Sequence, residues 1–347
     1  MLISLISFIF VIAVCVIAHE IGHYKTAKML GVQSHEFSIG MGPLLYQRKN
    51  SEGMLWSIRA IPIGGFVRIA GMGEENDEAG EFVKPGMGFN EKPAWKRFLI
   101  LANGSIMNIL LAILLTAFFL YGHGVTDMQS TRIGSIMPGM PAESAGFLPN
   151  DRIVEINGVV VDDWRGMTLG IRENALKGSV NFKIEREGQI LEINTDIPIH
   201  EESKVPMLGI TPAIKNYTLL GAITNSFSYI INISIEMLKG IGELITGKGQ
   251  DVAGPVGIAS LAGQAARAGT WNLITFLAMI SLNLGILNLF PFPALDGGHL
   301  FLLIGEMIFR HRLPNKVERY IHFAGFVFLI TLIVIVTWID IARLIQK

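Results

Sequence analysis

The chain is poor in cysteine and in charge. A single cysteine, Cys15, leaves no internal disulfide and no four-cysteine zinc site, so any metal must be held by nitrogen and oxygen. Only 16% of the 347 residues are charged, 50% are hydrophobic, and the mean hydropathy is +0.47. This is the composition of a membrane protein. A net charge of −1 gives no basic field for nucleic acid, and no helix-turn-helix or zinc-finger spacing revises that, so no nucleic-acid partner is expected. Internal repeats of the kind that mark many carriers are also lacking.

What is present begins with Ala18-His19-Glu20-Ile21-Gly22-His23. Residues four apart on an α-helix share a face, so His19 and His23 can hold one metal while Glu20 lies one position round, within reach of a water there. The spacing is the HExxH pattern of zinc hydrolases. From Leu2 to Ala18 no residue is charged, a run of roughly 25 Å as a helix, which can continue to about Leu30. With no basic n-region and no small-x-small site before His19, the run reads as a membrane span rather than a cleaved signal peptide. Lys25, Lys28, Arg48, Lys49, Arg59 and Arg68 all follow the span, so the positive-inside rule puts the N-terminus outside and the HExxH end inside.

Between Met54 and Met72 the chain is apolar and punctuated by Pro62 and Gly64-Gly65-Phe66-Val67, which predicts short strands in a hairpin beside the metal site, its free edge able to pair with a peptide. Glu74 to Glu81 carries five acidic residues and is expected to be a solvated loop. Leu99 to Tyr121 is a second charge-free run. Its Asn103, Ser105 and Asn108 either face the first helix or make plain helix–helix hydrogen bonds.

From Val125 to about Ile210 the composition turns soluble. The order Ile133-Gly134-Ser135-Ile136, Pro141 to Gly146, then Asn150 to Gly158 resembles a bacterial PDZ domain, of mixed α/β fold. Such domains bind an extended peptide as an added strand, and Leu208-Gly209-Ile210 resembles the binding loop. A size filter that binds no peptide is the alternative.

Tyr217 to Ile235 is uncharged but rich in Ser, Thr and Asn, and reads as an amphipathic helix lying on the membrane or against the other helices. Trp271 to Leu295 is a further span, ending in Asn288-Leu289-Phe290-Pro291-Phe292-Pro293-Ala294-Leu295-Asp296-Gly297-Gly298. An acid at such a break is a functional candidate. If Tyr217 to Ile235 does not cross, Asp296 arrives on the same side as His19 and His23. Ile321 to Ile339 crosses last, with His322 expected at the interface rather than on metal.

A catalytic zinc takes three protein ligands and keeps one position open. His19, His23 and Asp296 meet that need, and Glu20 can move a proton from water to a leaving amine, so the reaction class is peptide-bond hydrolysis with one catalytic Zn2+. Taken together, the span-embedded HEIGH, the Gly-Gly-Phe-Val hairpin, the PDZ-like segment and the late Asn-x-x-Pro-x-x-x-x-Asp-Gly resemble the bacterial site-2 protease family over nearly the whole chain. More narrowly, the pattern is similar to the single-PDZ members of the regulator of sigma E protease type.

The resemblance implies that His19, His23 and Asp296 are ligands, that Glu20 is the base, and that Asn288 and Pro291 help hold substrate, with Gly64, Gly65, Phe66, Val67 and Asn108 as further contacts. The family's Gly-Pro-x-x-Asn is here Gly104-Ser105-Ile106-Met107-Asn108, with Ser105 in place of proline. The implied substrates are transmembrane segments of single-span membrane proteins, an anti-sigma factor or signal-peptide remnant. The competing reading is a PDZ scaffold or transporter whose intramembrane acid binds an ion; it has no use for Glu20.

The fold class expected is an α-helical membrane protein with four transmembrane helices, a membrane-associated β-hairpin region and an extracytoplasmic PDZ domain. Its divisions are a first transmembrane helix over 1–30, a cytoplasmic loop with the hairpin over 31–97, a second transmembrane helix over 98–122 and the PDZ domain over 125–212. An amphipathic extracytoplasmic segment over 213–250, a third transmembrane segment over 271–295, a cytoplasmic loop over 296–319 and a fourth transmembrane helix over 320–343 complete it. The expected setting is the bacterial inner membrane, with both termini and the PDZ domain outside and the active site near the cytoplasmic side.

Overall fold

The computed structural model describes residues 2–72, 83–200, 204–247 and 253–345. The acidic stretch Glu74 to Glu81 lies outside the described residues. In chain order come α1 (Leu2–Met29), β1 (Ser34–Lys49), β2 (Leu55–Ile69), α2 (Ala94–Gly122), β3 (Val125–Thr126), β4 (Ile133–Ile136), α3 (Pro141–Ser144), β5 (Arg152–Ile156), β6 (Val159–Val160) and α4 (Trp164–Ala175). Then follow β7 (Val180–Arg186), β8 (Gln189–Thr195), β9 (Ile210–Pro212), β10 (Ile214–Lys215), α5 (Leu219–Ile245), α6 (Pro255–Ala268), α7 (Thr270–Leu289), α8 (Asp296–Phe309) and α9 (Asn315–Ile345). The chain divides into two compact units, one of residues 1–119 and 220–347, the other of residues 120–219.

In the first unit α1, α2, α7 and α9 are the four helices long and apolar enough to cross a membrane among the described residues. α1 is apolar on every side, so burial rather than polarity marks its inner face. Ser7, Val11, Cys15, His19, Gly22, His23 and Ala27 form one buried stripe at three- and four-residue steps, while Leu2, Ile3, Ile6 and Phe10 are exposed, as a lipid-facing surface requires. α5 is not among the four. Its Ala222, Ser226 and Ile230 are buried at a four-residue step, and Ile230 packs with Ala112 of α2 and Leu282 of α7.

Two short helices depart from the expected plan. α6 occupies residues that no expected segment covered; Pro255 suits its first turn, where the missing N–H is not needed. The stretch 296–319, expected as a loop, is mostly the helix α8, with Leu300 and Leu303 buried in the cluster around Ile100 and Leu101. Each has 14 residues, too few to register as a span and too apolar to read as a surface helix.

The β1–β2 hairpin curls on itself. Residues 36–39 pair with 65–68 and again with 55–58, and 46–49 return to 55–58. Residues 65–69 are thus an edge, paired only to β1 among the described residues. Glu36, 3% exposed, lies inside this curl. It accepts a hydrogen bond from the Ser57 hydroxyl and ion pairs with Arg59 (2.9 Å) and Arg68 (3.3 Å). Burial pushes its carboxyl up, but Ser57 and the two guanidiniums outweigh that and hold it below the usual 4.5.

The second unit is built on the sheet β6-β5-β7-β8, with β4 paired to β9 and β3 to β10. Alternation along β7 sends Val180, Phe182 and Ile184 into a core shared with Ile133, Phe147, Ile153, Ile156, Met167 and Ile171. Asp163 starts α4 by accepting the Gly166 N–H. Asp151, 1% exposed, accepts from Nε and Nη2 of Arg186, each at 2.7 Å, and from the Leu148 N–H at 2.8 Å.

Candidate metal centre

The inner stripe of α1 carries His19 and His23 one turn apart, with ring planes at 83°. Their Nε2 atoms are 3.1 Å apart, and Asp296 Oδ2 stands 2.9 Å from the first and 3.2 Å from the second. Ligands about 2.0 to 2.1 Å from one tetrahedral ion lie roughly 3.3 Å from each other. Two imidazoles and a carboxylate, converging at that spacing in a mostly buried place, fit zinc. The Nδ1 of His23 donates to the Ile100 carbonyl at 2.8 Å, which leaves its Nε2 lone pair for a metal.

Small residues permit this convergence. A Cβ on Gly22 would collide with the Asn103 carbonyl of α2, and one on Gly104 with the His23 ring. The two helices therefore meet backbone to backbone, and the imidazoles lie over Gly104. Asn103 fastens the crossing, its amide donating to the Gly22 carbonyl at 3.3 Å. Asp296 is placed by a similar device. After α7 stops at Leu289, the two-proline loop folds back across the first turn of α8, where a Cβ on Gly297 would strike the Phe290 carbonyl and one on Gly298 would sit 2.5 Å from that of Phe292. Sequence reasoning read the glycine pair as a helix breaker and missed Gly22, Gly104 and the Ile100 carbonyl. The available signal was a small residue in the next apolar helix.

The hairpin edge runs beside Glu20. A Cβ on Gly65 would lie 3.1 Å from Val16 and 3.8 Å from Glu20 Cγ, so the hairpin backbone passes directly alongside the Glu20 side chain. Gly64 abuts Met41, with φ at +88°, and Arg59 lies over the Phe66 ring at 5.1 Å. Asn108 is buried at the α2–α7 contact, its carbonyl accepting from Ser281 at 2.8 Å. Asn288 is half-buried near the end of α7 and Pro291 is exposed in the break. In the second unit Leu208 is buried, and the carbonyls of Leu208 and Gly209 accept from Ala142 and Met137 at 2.9 and 2.8 Å before β9 begins at Ile210.

Known proteins agree with this chemistry. A Clostridium perfringens protein bearing the name of a zinc metalloprotease is 33% identical over 335 residues, 94% of this chain and 95% of its own. The zinc metalloprotease RasP of Shouchella clausii is 29% identical, covering 98% of this chain and 99% of its own. Among solved structures, the PDZ domain of an SdrC-like protein from Listeria innocua aligns with 26% of this chain and 99% of its own at 17% identity, with a TM-score of 0.23. The profile of peptidase family M50 matches residues 7–332, and the chain belongs to that family of membrane zinc metalloproteases.

Proposed function

We propose that this zinc metalloprotease cuts the transmembrane segments of single-span membrane proteins, with His19, His23 and Asp296 as metal ligands and Glu20 as the general base. The observation that carries the reading is the convergence of three donor atoms within 3.2 Å, two of them on a membrane-length helix. Zinc, when bound there, supplies Lewis acidity. Glu20 takes a proton from the attacking water and returns it to the leaving amine. A substrate helix shields its own peptide bonds, so it must unwind to be cut; the edge at Gly64, Gly65, Phe66 and Val67 receives the freed strand beside Glu20. Asn288 and Pro291, at the helix break, and Asn108 are the remaining candidate contacts.

The basic residues supporting the topology are Lys25 and Lys28 in the last two turns of α1, Lys92, Lys96 and Arg97 around the start of α2, and Arg310, Arg312, Lys316 and Arg319 before the apolar part of α9. They support a topology with the active site near the cytoplasmic side of a bacterial inner membrane and residues 125–212, as a PDZ domain, outside. There Leu208, Gly209 and Ile210 either receive a peptide end or form part of a size filter. An anti-sigma factor or signal-peptide remnant has the required single span.

Purified Glu20→Gln and Asp296→Asn proteins test the roles. The first is expected to keep zinc and lose cleavage of a model transmembrane substrate, the second to lose zinc itself. Full cleavage by Glu20→Gln would end the assignment of that residue.

A further inference from the structure

The turn that delivers Asp296 is gripped by α9. His322 Nδ1 accepts the Ala294 N–H at 3.3 Å, two residues before Asp296. The His322 ring also stacks on His299, three residues after Asp296, with centroids 3.8 Å apart and planes at 18°. Ala294 takes a left-handed φ of +77°, a conformation a non-glycine residue holds only when its surroundings fix it. One turn further along α9, a Cβ on Gly325 would strike Pro293.

We propose that His322 is a positioning residue for the metal centre, holding Asp296 in register by accepting the Ala294 amide and bracing His299. This rests on Asp296 being a ligand. The groups facing His322 are His299 on α8, Glu318 on α9, whose carboxylate is 3.9 Å from His299 Nδ1, and Arg312, 3.7 Å from Glu318. His299, Glu318 and His322 are close enough together to suggest a second cation site. Ring orientation speaks against it. Lone pairs lie in the plane of an imidazole, and two near-parallel stacked rings aim theirs side by side instead of at a common point, while His322 Nδ1 already has the Ala294 amide.

The test compares His322→Phe, which keeps a ring for stacking but offers no acceptor, with His322→Asn, whose amide oxygen stands near the place of Nδ1. Zinc retention against a graded chelator and the visible absorption of the cobalt-substituted protein are read alongside the melting temperature in detergent. His322→Phe is expected to weaken zinc by about tenfold or more, the size of effect found when a group orienting a ligand is lost, and to alter the cobalt spectrum. His322→Asn is expected to recover both. Retention within about twofold and an unchanged spectrum in His322→Phe would overturn the proposal, as would failure of His322→Asn to recover either. Two zinc ions per chain, one lost with His322, would make the cluster a metal site instead. Zinc retention by Asp296→Asn would remove the ligand assignment itself, and the proposal with it.

Discussion

Single residues decide whether the three donor atoms meet. Gly104 has no catalytic group, yet the His23 ring occupies the space a methyl there would need. Gly104→Ala is therefore expected to weaken zinc binding by about tenfold or more, measured as zinc per chain after dialysis, with cleavage falling in step. A Gly104→Ala protein that holds zinc like the parent would show that the crossing yields without cost. His19 and His23 were legible because helical periodicity puts residues four apart on one face, with Glu20 one position round, and Asp296 because an acid beside two prolines stands out in an apolar run. Gly22 and Gly104 were not legible. A glycine needed for close approach leaves no pattern near itself, only a meaning supplied by a helix some 80 residues away, as the Asn103 bond to Gly22 illustrates.

At the scale of elements, the curl of the hairpin encloses a buried carboxylate, Glu36, tied to Ser57, Arg59 and Arg68. Glu36 binds its proton less readily in the folded hairpin than in an unfolded chain, so the unfolded state takes up more protons in acid. Its contribution to stability is complete above the ordinary value of 4.5 and is lost as the pH falls through the lowered folded value. Hydrogen exchange at the β1–β2 amides is expected to accelerate below about pH 4.5 beyond its intrinsic trend. Glu36→Gln should flatten that dependence, and an unaltered slope would locate the acid sensitivity elsewhere. That residues 54–72 form β structure was legible, but the short strands expected around Pro62 are one strand, β2, and its partner β1 over Ser34–Lys49 was not foreseen, because the pairing is set by the curl and not by a local turn signal. α6 and α8 were not legible, since 14 mostly apolar residues satisfy neither the length of a span nor the polarity of a surface helix. What makes α8 a helix is the burial of Leu300 and Leu303 against residues from α2, a tertiary cause with no local trace.

For the molecule as a whole, the four spans and the soluble interlude could be read from composition, and the structure keeps that division as two units with separate cores. Removing Arg186 leaves Asp151 buried and unpaired in the second unit. Arg186→Ala should destabilise that unit by about 3 kcal/mol, seen as earlier proteolysis within residues 120–219, while zinc content stays unchanged. Loss of zinc in that variant would mean that the two cores do not fold as separate units.

The donor atoms on His23 and Asp296 are separated by 273 positions in the chain. A ribosome must therefore add 273 further residues after His23 before the proposed metal centre can close. A product terminated before residue 296 carries both histidines and Glu20 but lacks the third donor of the proposed centre.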